Sequence, residues 1–197
     1  MTEPSRASRA SRAIQSTGWH PVARCIASPN HDQRPAGIDI ELVVVHGISL
    51  PPGRFGGPFV EQLFTNRLDP AVHPFFAQLG ELRVSAHFFI PRDGTLRQFV
   101  SCRDRAWHAG LSSWRGRQAC NDFSIGIELE GTDLRPYTER QYRRLESLLR
   151  DLACAYPRLR SIAGHEHVAP GRKTDPGPAF DWRRVVRASG FASPQRN

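Results

Sequence analysis

Three stretches of the sequence hold side chains that could bind a metal ion and move protons. His46 follows an apolar run at residues 38–45, and Glu128 lies in a run of alternating apolar and polar residues. The third stretch, residues 161–178, contains the remaining candidates, which are His165, His167, Lys173 and Asp175. A hydrolytic zinc site needs three imidazole or carboxylate ligands and a fourth position left to water. Together these residues could supply such a site and a proton-transfer group beside it.

His46 ends a predicted strand that is apolar on both faces. An imidazole without a partner would be costly in such a place, so a metal ion or a polar group is expected next to it. Taken alone, the position also fits a histidine that is simply hydrogen-bonded within the core.

Residues 161–178 are rich in glycine and proline, which restrain the backbone around the candidate ligands. The alternative is an ordinary surface loop between two helices. Lys173 argues against that alternative, because it is the only lysine among 27 basic residues. A lysine ammonium is a compact point charge with three rotatable donors, unlike the planar arginine fork. Spacing alone leaves open whether His165 or His167 would be the ligand.

Glu128 falls on the polar face of a predicted strand at residues 123–130, with Gly126 beside it. Because glycine leaves space above the sheet, the carboxylate could act as a general base toward a water on a metal ion. The alternative is a solvent-exposed glutamate on a strand. Each of these signals is weak alone, and their co-occurrence in one chain is what points to a metal hydrolase.

The elements that must position these residues belong to an α/β fold. Residues 38–45 end in an unbroken β-branched run, which predicts a strand buried on both faces that stops at His46. The Pro/Gly-rich segment at 49–58 predicts a loop at the end of that strand. Sites are commonly built on such loops, so we expect this loop to lie near the chemistry.

Antiparallel pairing and two helices complete the prediction. An Asp-Gly pair between strand-like runs at 84–90 and 96–100 is a strong hairpin signal, so the sheet should be mixed. A capping box at 138–141 begins a helix whose apolar residues recur at helical spacing. A shorter helix is expected at 181–189, before a glycine.

Length and composition indicate one globular domain. The chain has 197 residues and 39% hydrophobic content, enough for one sizeable core. No apolar run approaches the roughly 20 residues that cross a bilayer, so no membrane span is predicted. Residues 1–15 are low in complexity, and we expect a disordered Arg/Ser-rich extension there, a folded domain at 16–190 and a tail at 191–197.

The net charge of +8 raises the possibility of a nucleic-acid partner. The basic residues are nearly all arginine and are scattered among acids, so we predict a solvated surface and no nucleic-acid binding. The N-terminal arginines are not followed by the apolar stretch of a signal peptide, which predicts a cytoplasmic protein. Four widely spaced cysteines are expected to be free thiols.

Five segments carry a family resemblance, in the family's order, over about residues 18–187. They read VVVHGISLPPGRFGGP, RVSAHFFI, RAWHAG, CNDFSIGIELEGT and GHEHVAPGRKTDPGPAFDW. The chain resembles the type 2 N-acetylmuramoyl-L-alanine amidases, and most closely their cytoplasmic recycling branch, which acts on 1,6-anhydro-muropeptides. The resemblance implies a mixed central β-sheet flanked by helices, the fold shared with peptidoglycan-recognition proteins.

The resemblance also implies roles for the candidate residues. One zinc ion per chain would be held by His46, His165 and Asp175, with Glu128 and Lys173 as the catalytic pair. It selects His165 as the ligand, because the family does not use the position two residues later. The implied reaction is hydrolysis of the amide between the lactyl group of a muramyl sugar and L-alanine, in a monomeric enzyme.

Substrate contacts are expected from three further residues. Arg83 could receive a stem-peptide carboxylate as a bidentate fork, and Trp107 and His108 could contact sugar or peptide. Trp107 could equally be a core residue. Gly47 stands where recycling members commonly have asparagine, and Phe75 stands where an aromatic hydroxyl is expected; both would alter substrate contacts rather than zinc chemistry.

A non-catalytic peptidoglycan-binding module is the main rival interpretation. Binding-only relatives on this fold often lack a complete metal set, whereas all three ligands, the base and the lysine are present in this chain. A basic nucleic-acid-binding protein is the second rival, and it would need no metal.

Overall fold

The computed structural model describes residues 6–192 of the chain. Its strands are β1 (Arg24–Cys25), β2 (His31–Gln33), β3 (Leu42–Ile48), β4 (Phe88–Ile90), β5 (Arg97–Gln98), β6 (Asp104–Ala106), β7 (Ser113–Trp114), β8 (Arg117–Gln118), β9 (Ser124–Glu130) and β10 (Ser161–Gly164). Its helices are α1 (Arg6–Thr17), α2 (Phe59–Phe64), α3 (Pro74–Ala77), α4 (Glu139–Ala155), α5 (His165–Val168) and α6 (Trp182–Ser189), and a 3₁₀ turn covers Cys120–Asp122.

A six-stranded mixed sheet in the order β1-β5-β4-β9-β3-β10 forms the centre of the fold. The β4–β5 pair is antiparallel, and the other neighbours in this sheet are parallel. Two small antiparallel ribbons, β2–β6 and β7–β8, lie outside it. The predicted α/β class, with a mixed central sheet flanked by helices, is confirmed.

The two faces of the sheet have different roles. Alternate residues of the central strands, such as Val43 and Ile127, are fully buried in a core cluster that also contains α4 and α6 side chains. The opposite face carries His46 and Glu128, because side chains alternate along a strand. In the parallel register of β3 and β9, His46 is paired with Glu128. The sheet thus brings two residues that are far apart in sequence to one place.

The strand containing His46 is displaced from its prediction. It was expected at residues 38–45, stopping at His46, but it runs over Leu42–Ile48. Pairing with β9 explains the difference, because the ladder extends from Leu42↔Ser124 to Ile48↔Glu130. His46 is therefore inside the strand rather than after it.

The predicted hairpin and both predicted helices are confirmed. Gly94 has φ +78° in the turn between β4 and β5 and donates from its N–H to the Pro91 carbonyl. α4 has the full capping box of Thr138 and Gln141. α6 begins after the N-cap Asp181 and ends at Gly190 in the left-handed conformation. The four cysteines are free, as expected.

In the described residues, 6–192, no helix is long and apolar enough to span a bilayer.

The N-terminal segment differs from its prediction. The expected disorder at 1–15 is wrong for residues 6–15, which belong to α1; residues 1–5 lie outside the described part of the chain, as does most of the predicted tail. Ile14 is fully buried in the core cluster that contains α4, and Gln15 donates from Nε2 to the Ala155 carbonyl at 2.8 Å. Burial of an apolar side chain can offset the conformational entropy that a segment loses when it becomes ordered. The composition of residues 1–15 did not reveal this burial.

Ile14→Ala should therefore destabilise the protein. Removing a buried isoleucine side chain to alanine typically costs about 2–5 kcal/mol, and Ile14 is 0% exposed. Urea unfolding would measure the change, with Arg12→Ala as the control, because Arg12 is exposed on the same helix. Equal unfolding midpoints for the two variants would show that α1 does not stabilise the domain.

Candidate metal and catalytic site

His46, His165 and Asp175 converge at the carboxyl edge of the parallel strands. His46 lies on β3, His165 begins α5 directly after β10, and Asp175 lies on the following loop. The two Nδ1 atoms of the histidines are 2.9 Å apart. Asp175 Oδ2 lies 3.4 Å from Nδ1 of His46 and 3.2 Å from Nδ1 of His165. All three potential ligand atoms lie within 4.8 Å of one another.

The far nitrogen of each histidine ring is held by one short segment. His46 Nε2 lies 2.9 Å from Nδ1 of His108, and His165 Nε2 lies 3.3 Å from the carbonyl oxygen of Ala109. The backbone N–H groups of His108 and Ala109 both donate to Asn121 Oδ1. Partners of this kind fix the orientation of ligating imidazoles, so residues 108–109 aim both Nδ1 atoms at a common point.

His108 is itself fixed from behind. Its Nε2 lies 3.2 Å from Ser124 Oγ on β9. Its ring fills the space above Gly126, since a Cβ there would lie 2.4 Å from His108 Cγ. The space that the sequence predicted above Gly126 therefore exists, and a histidine occupies it.

The electrostatics of the cluster favour metal binding. Burial lowers the pKa of His46 to about 4, so its imidazole is neutral near pH 7. Burial raises the pKa of Asp175, but hydrogen bonds from His165 and His46 outweigh it and hold that pKa well below its ordinary value. A neutral imidazole and an ionised carboxylate are the forms that bind a metal ion. Two imidazole nitrogens and one carboxylate oxygen also match the donor set of a catalytic zinc.

Glu128 is buried beside this cluster. In the described part of the chain, its Oε2 is a buried oxygen without a hydrogen-bond partner. Burial raises the pKa of Glu128 well above its ordinary value, and the Asp175 carboxylate raises it further, while the Lys173 ammonium opposes the shift. A buried carboxylate oxygen without a partner, next to a potential metal site, is placed to accept a proton from a reacting water.

Lys173 is exposed and lines the same cavity as Glu128. Its positive charge acts to lower the pKa of both Glu128 and His46, although burial has the larger effect on each. A cation at that position could stabilise negative charge developing on a substrate oxygen.

The cluster opens into a cavity of about 950 Å³. Its lining includes the candidate ligands and a set of apolar side chains, which are Leu63, Phe64, Phe75, Leu79 and Leu82. The loop at 49–58 contributes Ser49, Leu50, Pro52 and Gly53. The loop therefore lies beside the candidate site, as predicted.

The predicted substrate-binding residues are not brought together. The Arg83 guanidinium donates to the carbonyls of Gly80 and Leu82, and Arg83 itself is not among the residues lining the cavity. Trp107 is half-buried and is not among the residues lining the cavity. His108 does line the cavity, but its ring supports His46. The roles of Arg83, Trp107 and His108 toward substrate stay predictions.

The alternative ligand His167 has a local structural role. Its Nδ1 accepts the backbone N–H of Gly164 at 3.0 Å, and its ring packs edge-on against Trp182. The alternation of residues 123–130 also places Glu130 on the strand face of Glu128, and it is a second buried carboxylate there. Alternation did not indicate that Glu130 accepts backbone N–H groups, because the donors lie on loops distant in sequence.

Comparison with known proteins identifies the family of this chain. The family model for N-acetylmuramoyl-L-alanine amidase matches residues 36–178. The chain is 55% identical over 168 residues to 1,6-anhydro-N-acetylmuramyl-L-alanine amidase AmpD of Escherichia coli K12, covering 85% of this chain and 92% of that protein. It is 50% identical over 165 residues to AmpD of Haemophilus influenzae, covering 83% and 90%.

Solved structures agree with this similarity. The crystal structure of a selenomethionine derivative of AmpD superposes with a TM-score of 0.85 at 53% identity, covering 87% of this chain and 96% of that one. The amidase AmiD of E. coli, solved with anhydro-N-acetylmuramic acid-L-Ala-D-gamma-Glu-L-Lys as substrate, gives a TM-score of 0.59 at 28% identity, covering 82% and 62%.

Proposed function

The chain belongs to the N-acetylmuramoyl-L-alanine amidase family, and from that premise we propose that it is a zinc-dependent hydrolase of muropeptides in cell-wall recycling. The bond cleaved is the amide between the lactyl group of 1,6-anhydro-N-acetylmuramic acid and L-alanine. The observation that carries the proposal is the convergence of His46, His165 and Asp175 next to the partnerless oxygen of Glu128.

The substrate class is supported by the relatives. The AmpD proteins named above are 1,6-anhydro-N-acetylmuramyl-L-alanine amidases, and AmiD was solved with an anhydro-muramyl peptide. A cavity of about 950 Å³ is large enough for a sugar and part of a peptide. Its lining contains both apolar and polar side chains, which suits a glycopeptide.

Zinc held by His46, His165 and Asp175 would supply a Lewis acid and a water whose pKa is lowered toward about 7. Glu128 takes the proton of the attacking water on its free oxygen. As the lactyl carbonyl is attacked and the C–N bond breaks, Glu128 returns that proton to the leaving amine of L-alanine. One carboxylate therefore acts first as base and then as acid, and no net proton is consumed at the residue.

Lys173 stabilises the charge that appears on the carbonyl oxygen during attack. Its ammonium reaches the cavity from the loop that also carries Asp175. Loss of one electrostatic donor of this type typically lowers the rate by about 10²–10³.

We also propose that the protein is a cytoplasmic monomer, and the relatives bear on its location. Recycling acts on turnover fragments that have entered the cell, and the chain is similar to AmpD proteins, which are named as 1,6-anhydro-N-acetylmuramyl-L-alanine amidases. Its arginines are scattered rather than clustered, which argues against a nucleic-acid partner.

Product analysis tests the proposed function. The purified protein should contain about one zinc per chain, release L-alanyl peptides from anhydro-muropeptides, and lose this activity in a chelator until zinc is restored. Mass spectrometry of the products identifies the bond cleaved. Full turnover by rigorously metal-free protein would exclude the zinc mechanism.

Specificity is read from the same assay. We expect kcat/KM for the anhydro sugar to exceed that for the reducing sugar by about ten-fold or more, because the two forms differ in shape and by one hydroxyl. Equal values would contradict a recycling role but leave the amidase chemistry standing.

A further inference from the structure

Glu130 is a second buried carboxylate on β9, two residues beyond Glu128, and only 5% of it is exposed. Both of its oxygens accept backbone N–H groups. Oε1 accepts from Gly56 at 2.5 Å, and Oε2 accepts from Arg92 at 3.0 Å. Hydrogen bonds to an ionised carboxylate are roughly twice as strong as neutral ones. Glu130 therefore joins two segments that follow different strands.

One of these segments is residues 49–58, which we call the cleft loop. It leaves the end of β3 and contributes four residues to the cavity lining. Within the described part of the chain, its other hydrogen bonds across residues 49–57 are local, from Gly53 N to Ser49 Oγ and from Arg54 N to the Pro51 carbonyl. Leu50 anchors the start of the loop in an apolar cluster, and the link from Gly56 to Glu130 is the hydrogen bond that joins the later part of the loop to the sheet.

A second contact acts at the neighbouring residue. The ring of Phe55 lies between two guanidinium groups, 4.7 Å from that of Arg92 and 4.8 Å from that of Arg135. Arg92 thus meets the cleft loop through its side chain and Glu130 through its backbone. The two contacts hold adjacent residues of the loop, Phe55 and Gly56, shortly after the four loop residues that line the cavity.

We propose that Glu130 is a positioning residue, which holds the cleft loop against β9 and so fixes the wall of the cavity that receives the substrate. This role rests on the proposed function, because the substrate it would help to bind is the anhydro-muropeptide. On the same face of β9, Glu128 then transfers protons in the reaction, and Glu130 positions the loop that lines the cavity.

Limited trypsin digestion measures how readily the cleft loop detaches from the sheet. Arg54 is exposed at the tip of the cleft loop, so cleavage after it reports how often the loop leaves the sheet. Glu130→Gln keeps the side-chain shape but places an amide N–H₂ against one of the two donors. We expect cleavage after Arg54 to accelerate about ten-fold or more, the low end of the contribution of a hydrogen bond to a charged group.

Kinetics separate positioning from a merely structural role. Glu130→Gln should raise KM for the anhydro-muropeptide about ten-fold while kcat and zinc content change little, as expected when an interaction that binds ground and transition states equally is lost. Phe55→Ala, which leaves β9 untouched, should produce the same two effects. Val185→Ala is the control, because it removes buried apolar volume from α6 away from the cavity.

The outcomes are distinct. If Glu130→Gln lowers the melting temperature as Val185→Ala does, with Arg54 cleavage and KM as in the wild type, the positioning role is overturned. If the wild type hydrolyses no muropeptide, the proposed function fails, and the digestion rates of the two loop variants still decide whether Glu130 holds the loop.

Discussion

Glu128→Gln should lower kcat by about 10²–10⁴ while zinc remains bound, the usual contribution of a positioned general acid–base. The amide has nearly the shape of the carboxylate but cannot accept a proton at the free Oε2. Zinc should stay because Glu128 is not one of the three converging ligand residues. The measurement pairs turnover of an anhydro-muropeptide with metal analysis of the same sample.

Glu139→Gln is the matched control for that change. Glu139 is an exposed glutamate at the start of α4, where it pairs with Arg184. The Glu139→Gln enzyme should turn over substrate at the wild-type rate. A Glu128→Gln enzyme within a few-fold of the wild type would remove Glu128 from the reaction.

His165→Ala should abolish stable zinc binding, and with it the activity. Loss of a partner that only supports a ligand typically lowers metal affinity by about 10–100-fold, and loss of the ligand itself should exceed that range. His165 contributes Nδ1 to the cluster and is 5% exposed. Because the position is buried, a side chain from the surface cannot readily take its place as a ligand. Competition with a chromophoric chelator would measure the affinity.

His167→Ala provides the control from the same helix. Its ring caps the start of α5 and contacts Trp182, so the variant should lose some stability but keep about one zinc per chain. If zinc is lost from His167→Ala and kept by His165→Ala, the ligand assignment must be reversed between the two histidines.

Local sequence signals predicted the parts of the fold that are decided locally. The capping box at Thr138 determines where α4 begins, and the Asp-Gly turn determines the β4–β5 hairpin; both are present in the structure. The start of β3 could not be read in this way, because it depends on which residues β9 reaches. α1 was missed for a similar reason, since the burial of Ile14 requires a surface on α4 that is distant in sequence.

The candidate site was also predicted only in part, because some of its contacts depend on residues distant in sequence. Residue types and family motifs indicated the three candidate ligands, Glu128 and Lys173. They did not indicate that His108 supports His46, because that contact depends on a loop folding over Gly126. The orientation of Arg83 depends on loop backbone as well, because its guanidinium donates to the carbonyls of Gly80 and Leu82.

The support of both histidine rings by residues 108–109 has a consequence for protein engineering. A designer who grafted only His46, His165 and Asp175 onto another scaffold would leave both imidazoles free to rotate, because their Nε2 partners come from a separate segment. That segment is anchored in turn by Asn121. The smallest transferable unit is therefore larger than the three candidate ligands and includes a piece of chain that supplies no ligand atom to the cluster.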